Sequence, residues 1–94
     1  MESNKLKFAN DLNIGVDWED NDGKVTAVFD NSNDFSNAVS RLEKVSSVEE
    51  IDEEGDINLS GARFIWKGYS DNEEVYTVQA IGDFINDTYK IEIE

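Results

Sequence analysis

The sequence predicts an α+β fold: a largely antiparallel β-sheet of about five to six strands with one amphipathic helix (about residues 32–46) packed on one face, in the order ββαβββ(β). Three observations carry this. Apolar and polar residues alternate through most of the chain, one stretch switches to helical spacing, and short polar clusters separate the runs so that consecutive strands can pair antiparallel.

Leu12, Ile14, Val16 and Trp18 alternate with Asn13, Gly15, Asp17 and Glu19, the pattern of a strand with one buried face. Val25, Ala27 and Phe29 repeat it. Between them Glu19-Asp20-Asn21-Asp22-Gly23 supplies turn residues, and Gly23 can take positive φ without steric cost, so residues 12–29 read as a β-hairpin. Leu6 and Phe8 are expected to add an edge strand before it.

The period then changes. Phe35, Ala38, Val39, Leu42 and Val45 form one apolar stripe at helical spacing. Asn31, Ser32 and Asn33 offer N-cap oxygens, Asp34 suits the positive end of the helix dipole, and Arg41 and Lys44 suit its negative end. The stripe is narrow, so this helix should lie on the sheet and leave a polar side in water.

Beyond Ser46-Ser47 the period returns to two. Val48 to Asp52 reads as a short strand, Ile57 and Leu59 as another extended piece, and Ala62, Phe64 and Trp66 as a strand, with Gly55 and Gly68 as punctuation. After the turn signal Ser70-Asp71-Asn72, Val75 to Ile81 is a strand; Gly82 to Asp87 turns into Thr88 to Glu94, where Tyr89, Ile91 and Ile93 share a face. There is no internal repeat or linker, and the length suits a single domain over residues 1–94.

Composition speaks to function more than to fold. The 94 residues hold 22 acids against eight bases, a net charge of -14, with no His, Cys or Pro. Residues 1–47 carry nine acids and five bases; residues 48–94 carry thirteen acids and only Arg63, Lys67 and Lys90. Such a surface repels nucleic acid and anionic lipid and attracts basic proteins or cations, most strongly in the second half. Ten aromatics spread along the chain separate it from a disordered acidic tail. Halophilic adaptation is the plain rival explanation, and the excess of Lys over Arg with abundant Asn and Ile argues against it. No apolar run is long enough to cross a bilayer, and the N-terminus lacks a basic segment followed by an apolar one, so a cytoplasmic protein is the simplest expectation.

Glu49, Glu50, Asp52, Glu53, Glu54 and Asp56 put six carboxylates in eight residues. On an extended chain alternate side chains stand about 6.6 Å apart, a spacing that can imitate successive phosphates; an acidic loop kept soluble by its charge is the plain alternative. Asp71, Glu73 and Glu74 form a smaller acidic turn beside Tyr69, the aromatic expected to be exposed, whereas Trp18 and Trp66 are in phase with apolar neighbours and belong to the core. Asp17, Glu19, Asp20 and Asp22 make a third group at the hairpin tip. It resembles the middle of a calcium loop, but with Gly23 at the sixth position the first and twelfth fall on Trp18 and Phe29, which cannot coordinate. Without His or Cys no base is poised near neutral pH, and no glycine loop cradles phosphate, so neither an enzyme nor a cofactor site is expected.

The expected function is therefore a small acidic inhibitor that blocks the DNA or RNA site of a basic nucleic-acid-handling protein, its carboxylates standing in for phosphates. Phage anti-defence proteins of the anti-CRISPR or anti-restriction type and nuclease immunity proteins are of this class. The alternatives are an acidic structural or adaptor module docking through a sheet edge or helix face, and a divalent-cation-binding domain. Whether the three acidic groups converge on one face discriminates among them.

Overall fold

In the computed structural model the described residues are 4–21, 23–56, 61–70 and 73–94, of which 52–56 are described for their backbone only. Two helices and six strands follow in the order α1 (Asn4–Asp11), β1 (Glu19–Asn21), β2 (Lys24–Phe29), α2 (Ser32–Glu43), β3 (Val48–Asp56), β4 (Gly61–Tyr69), β5 (Val75–Asp83) and β6 (Thr88–Ile93). All strands join one antiparallel sheet in the order β1-β2-β6-β5-β4-β3. The predicted α+β class and antiparallel sheet hold. The C-terminal strand is drawn into the middle, where both its edges are paired.

Strand alternation builds the core. Val25 and Ala27, Ile91 and Ile93, Val78 and Ala80, and Trp66 point to the side that the helices cover, and none of these is more than 1 % exposed. α2 lays Phe35, Ala38, Val39 and Leu42 onto this layer, the stripe its spacing predicts, with Leu42 wholly buried. Asn31 is the N-cap: its Oδ1 accepts from the Asp34 amide at 2.8 Å, which satisfies an orphan donor of the first turn. The helix ends at Glu43 with Lys44 as C-cap, slightly earlier than the expected residue 46.

Three expectations are corrected. Leu6 and Phe8 lie in α1, not in an edge strand, because Phe8, Ala9 and Leu12 share a helical face and bury themselves on the sheet. Residues 12–18 do not pair as a strand. Asn13 closes α1 in the left-handed region at φ 54 and Gly15 follows at φ 74, and two such residues break an extended backbone. The alternation nevertheless predicts burial correctly, since Leu12 and Ile14 are in the core and Val16 and Trp18 pack against it. The hairpin therefore begins later, at Glu19, and its last register pair is Asn21 with Lys24, with Gly23 at φ 82.

The third correction concerns Gly55 and Gly68. Neither interrupts a strand: β3 runs through Gly55, and β4 through Gly68. Gly68 is instead a notch for α1, because a Cβ there would fall within the Phe8 ring, which also packs on Tyr76 at a centroid distance of 4.9 Å. The short strand expected at Val48–Asp52 runs on to Asp56 as one nine-residue β3 with a bulge between Glu50 and Asp52; the extended piece expected at Ile57 and Leu59 lies outside the described residues.

Candidate functional site

Sheet order decides where the acidic groups go. Glu49 to Asp56 form β3, one edge of the sheet, whereas Glu19 and Asp20 lie in β1, the opposite edge, with Asp17 just before it. Five inter-strand steps of about 4.8 Å separate the edges, roughly 24 Å in all. The hairpin group and the β3 group thus do not share a patch. The β4–β5 turn lies at the same end of the sheet as the start of β3: the Tyr69 amide donates to the Ser47 carbonyl at 2.8 Å, and Glu73 and Glu74 lead into β5 on the other side of β4. Asp22 and Asp71 lie outside the described residues, as do the side chains of Asp52, Glu53, Glu54 and Asp56.

The run on β3 is not a single row. Register sets Glu49 opposite Lys67 and Glu50 opposite Trp66, then the bulge intervenes, and Asp52, Glu53, Glu54 and Asp56 stand opposite Ile65, Phe64, Arg63 and Gly61. Lys67 and Arg63 belong to the uncovered sheet face, while Trp66 belongs to the core face. Two of the six carboxylate positions are thus registered against cations, a favourable cross-strand arrangement. Buried beside this edge, Trp66 Nε1 has no hydrogen-bond partner.

Other carboxylates are engaged inside the protein. Tyr76 donates its hydroxyl to Glu74 Oε2 at 2.5 Å; that bond, with burial and the carboxylate charge, pushes the phenol up to about 12. Asp83 caps the β5–β6 turn, accepting from the Ile85 and Asn86 amides at 3.0 and 3.1 Å and from Asn86 Nδ2 at 2.8 Å. Hydrogen bonding from Asn86, side chain and then backbone, holds its carboxyl below the usual range. Glu92, with a side chain only 12 % exposed, sits 2.9 Å from Lys90 Nζ and 3.8 Å from Lys24 Nζ, and Lys24 also reaches Glu94 at 3.1 Å. Four of the second half's thirteen acids, Glu74, Asp83, Glu92 and Glu94, are therefore engaged within the chain.

Tyr69 is exposed as expected, at 47 %, and Trp66 is buried at 1 %. Glu73 is exposed and held at φ 65 in a turn whose frame is made by Ser70: the Ser70 amide and Oγ donate to the Glu74 carbonyl at 3.1 and 3.0 Å. Among the described residues no three carboxylates come together in a way that could hold a metal ion, and no helix is long and apolar enough to cross a membrane.

One feature of the surface went unread in the sequence. Lys24, Arg63, Lys67 and Lys90 all fall on the uncovered sheet face. The signal was present, since each stands one residue out of phase with a core position: Val25, Ala62, Trp66 and Ile91. No protein-family description, curated protein or solved structure matches this chain, so its fold and surface chemistry are the whole basis for a functional reading.

Proposed function

We propose that this chain is a small acidic inhibitor that engages a basic, nucleic-acid-handling protein along the β3 edge and the Glu73–Glu74 turn, competing with DNA or RNA for that site. The supporting observation is the placement of the densest acidic run on a long sheet edge that starts beside the exposed Tyr69, with a second acidic turn at the same end of the sheet. An edge strand presents its charge on the rim of the molecule, where a channel lined by Lys and Arg can reach it. The contact is narrower than charge alone suggests. Asp17, Glu19 and Asp20 sit on the far edge and act through long-range attraction only.

The test is competition. A panel of restriction and RNA-guided nucleases is assayed for cleavage of labelled DNA with and without the protein. Inhibition is expected for a member of the panel, relieved by excess DNA and by raised salt, because exposed charges are screened beyond about 8 Å at physiological ionic strength. The combined variant Glu50→Gln, Asp52→Asn, Glu53→Gln and Asp56→Asn should keep the fold and bind more slowly, since removing interfacial charge acts mainly on association. Inhibition that excess DNA leaves untouched, or an unchanged association rate in the variant, would remove the edge from the site.

The adaptor reading has one observation in its favour. Glu49 opposite Lys67 and Glu54 opposite Arg63 are the cross-strand pairs expected if the acids serve chiefly to pin the register and guard an open edge. In that case Glu49→Gln with Glu54→Gln loses stability or gains edge-to-edge aggregation, with no inhibitory activity to lose.

A further inference from the structure

The uncovered face of the sheet is chemically unlike the rest of the molecule. On the four central strands it carries Lys24, Lys90, Arg63 and Lys67, half of the chain's eight bases, against three acids, Asp83, Glu92 and Glu94. Within the face most of these are matched: Lys24 with Glu92 and Glu94, Lys90 with Glu92, and Arg63 Nη2 with Gln79 Oε1 at 3.0 Å. Apolar groups stand among them. Val28 is 72 % exposed, Ile65 and Ile81 are half-buried, and Tyr69 and Val75, neighbours in register, are both exposed.

We propose that this face is the interface of a homodimer in which two copies pack sheet against sheet. Charge selects the occupant. Two chains of net charge -14 repel each other almost wherever they meet, and the centre of this face is the surface where bases offset acids within each copy. Size fits a weak dimer. Four strands about 4.8 Å apart and about six residues long make a patch of roughly 20 by 20 Å, and allowing for side-chain relief two copies would bury about 1,200 Å² in all, the lower bound for a specific interface. A concavity of about 500 Å³ lies at one corner, lined by Val28, Ile81, Thr88 and Lys90 with Asp30 and Asp87 at its rim, where a partner's basic side chain can insert. Both acidic edges flank the patch rather than cross it, so the dimer leaves β3 open to a basic target.

This inference does not rest on the inhibitor reading, and salt separates the two. Raising salt from about 50 to about 500 mM shortens the screening length from about 14 to about 4 Å. That should strengthen self-association at least tenfold by damping repulsion between copies, while binding of a basic target through the acidic edge weakens. Sedimentation velocity of the full chain over a wide concentration range at both salts is expected to show a monomer–dimer equilibrium that tightens with salt. Ile81→Lys should abolish the dimer with the circular dichroism spectrum unchanged. Since the substitution makes the chain less negative, from -14 to -13, the loss cannot come from general repulsion. Val28→Lys, at a position already 72 % exposed, should do the same and guards against misfolding of the first variant. A monomer at every concentration and salt overturns the proposal. So does a dimer that both variants leave intact, or a single-stranded oligonucleotide that binds this face in preference to a second copy.

Discussion

Gly68→Ala should destabilise the protein, and the sign of the effect is the informative part. A strand glycine with open space above it gains about 0.5–1 kcal/mol on replacement by alanine, because the unfolded chain has less freedom to lose. Here the space is occupied. The new Cβ would fall against Phe8 Cζ, with Cε2 at 2.9 Å and Cε1 at 3.3 Å, and the ring is only 5 % exposed and backed by Tyr76. α1 must shift or the ring must leave its rotamer, an overpacking cost of about 1–3 kcal/mol. For a chain of this size that is a fall in Tm of roughly 5–20 °C, readable by thermal or urea denaturation followed by circular dichroism. Phe8→Leu removes the obstructing edge of the ring, so in a double-mutant cycle the pair should cost at least about 1 kcal/mol less than the sum of the single changes. A neutral or stabilising Gly68→Ala, or strict additivity with Phe8→Leu, would refute the docking of α1 on this notch.

The other expectations are simpler. Leu42→Ala removes a fully buried side chain and should cost about 2–5 kcal/mol, while Asn37→Ala on the exposed side of α2 should stay within about 0.5 kcal/mol; equal costs in urea melts would contradict the orientation of the helix. Tyr76 has a folded-state pKa of about 12, above the ordinary 10.0 of an unfolded tyrosine. Its contribution to stability is therefore full below pH 10 and lost as pH rises from there toward 12, because in that window the folded state holds a proton the unfolded state has released. Tyr89 is raised as well, by burial and by Asp87, so ultraviolet titration of tyrosinate should show late ionisation from both phenols, of which the Tyr76 share moves to lower pH in Glu74→Gln and disappears in Tyr76→Phe. A late phase wholly unaffected by Glu74→Gln would contradict the hydrogen bond.

Local pattern determined a good deal about this protein. Period-two runs predicted strands at Val25–Phe29, Val75–Ile81 and Thr88–Glu94, within two residues of the observed β2, β5 and β6, and the faces they bury, and the stripe from Phe35 to Leu42 predicted α2 and its contact face, because alternation and helical spacing are properties of the local backbone. The same pattern misassigned residues 6–18. Burial was read correctly there, but burial does not specify pairing, and the left-handed Asn13 and Gly15 divert the chain before β1 begins. Composition determined the net charge and its bias toward the second half. Only the tertiary structure decided which charges act together, since strand order, a property of long-range pairing, sends the hairpin acids and the β3 acids to opposite edges and gathers four bases on the uncovered face. Gly68 shows the same division: in the sequence it is a break, and only the approach of α1 over β4 makes it the position where Phe8 docks.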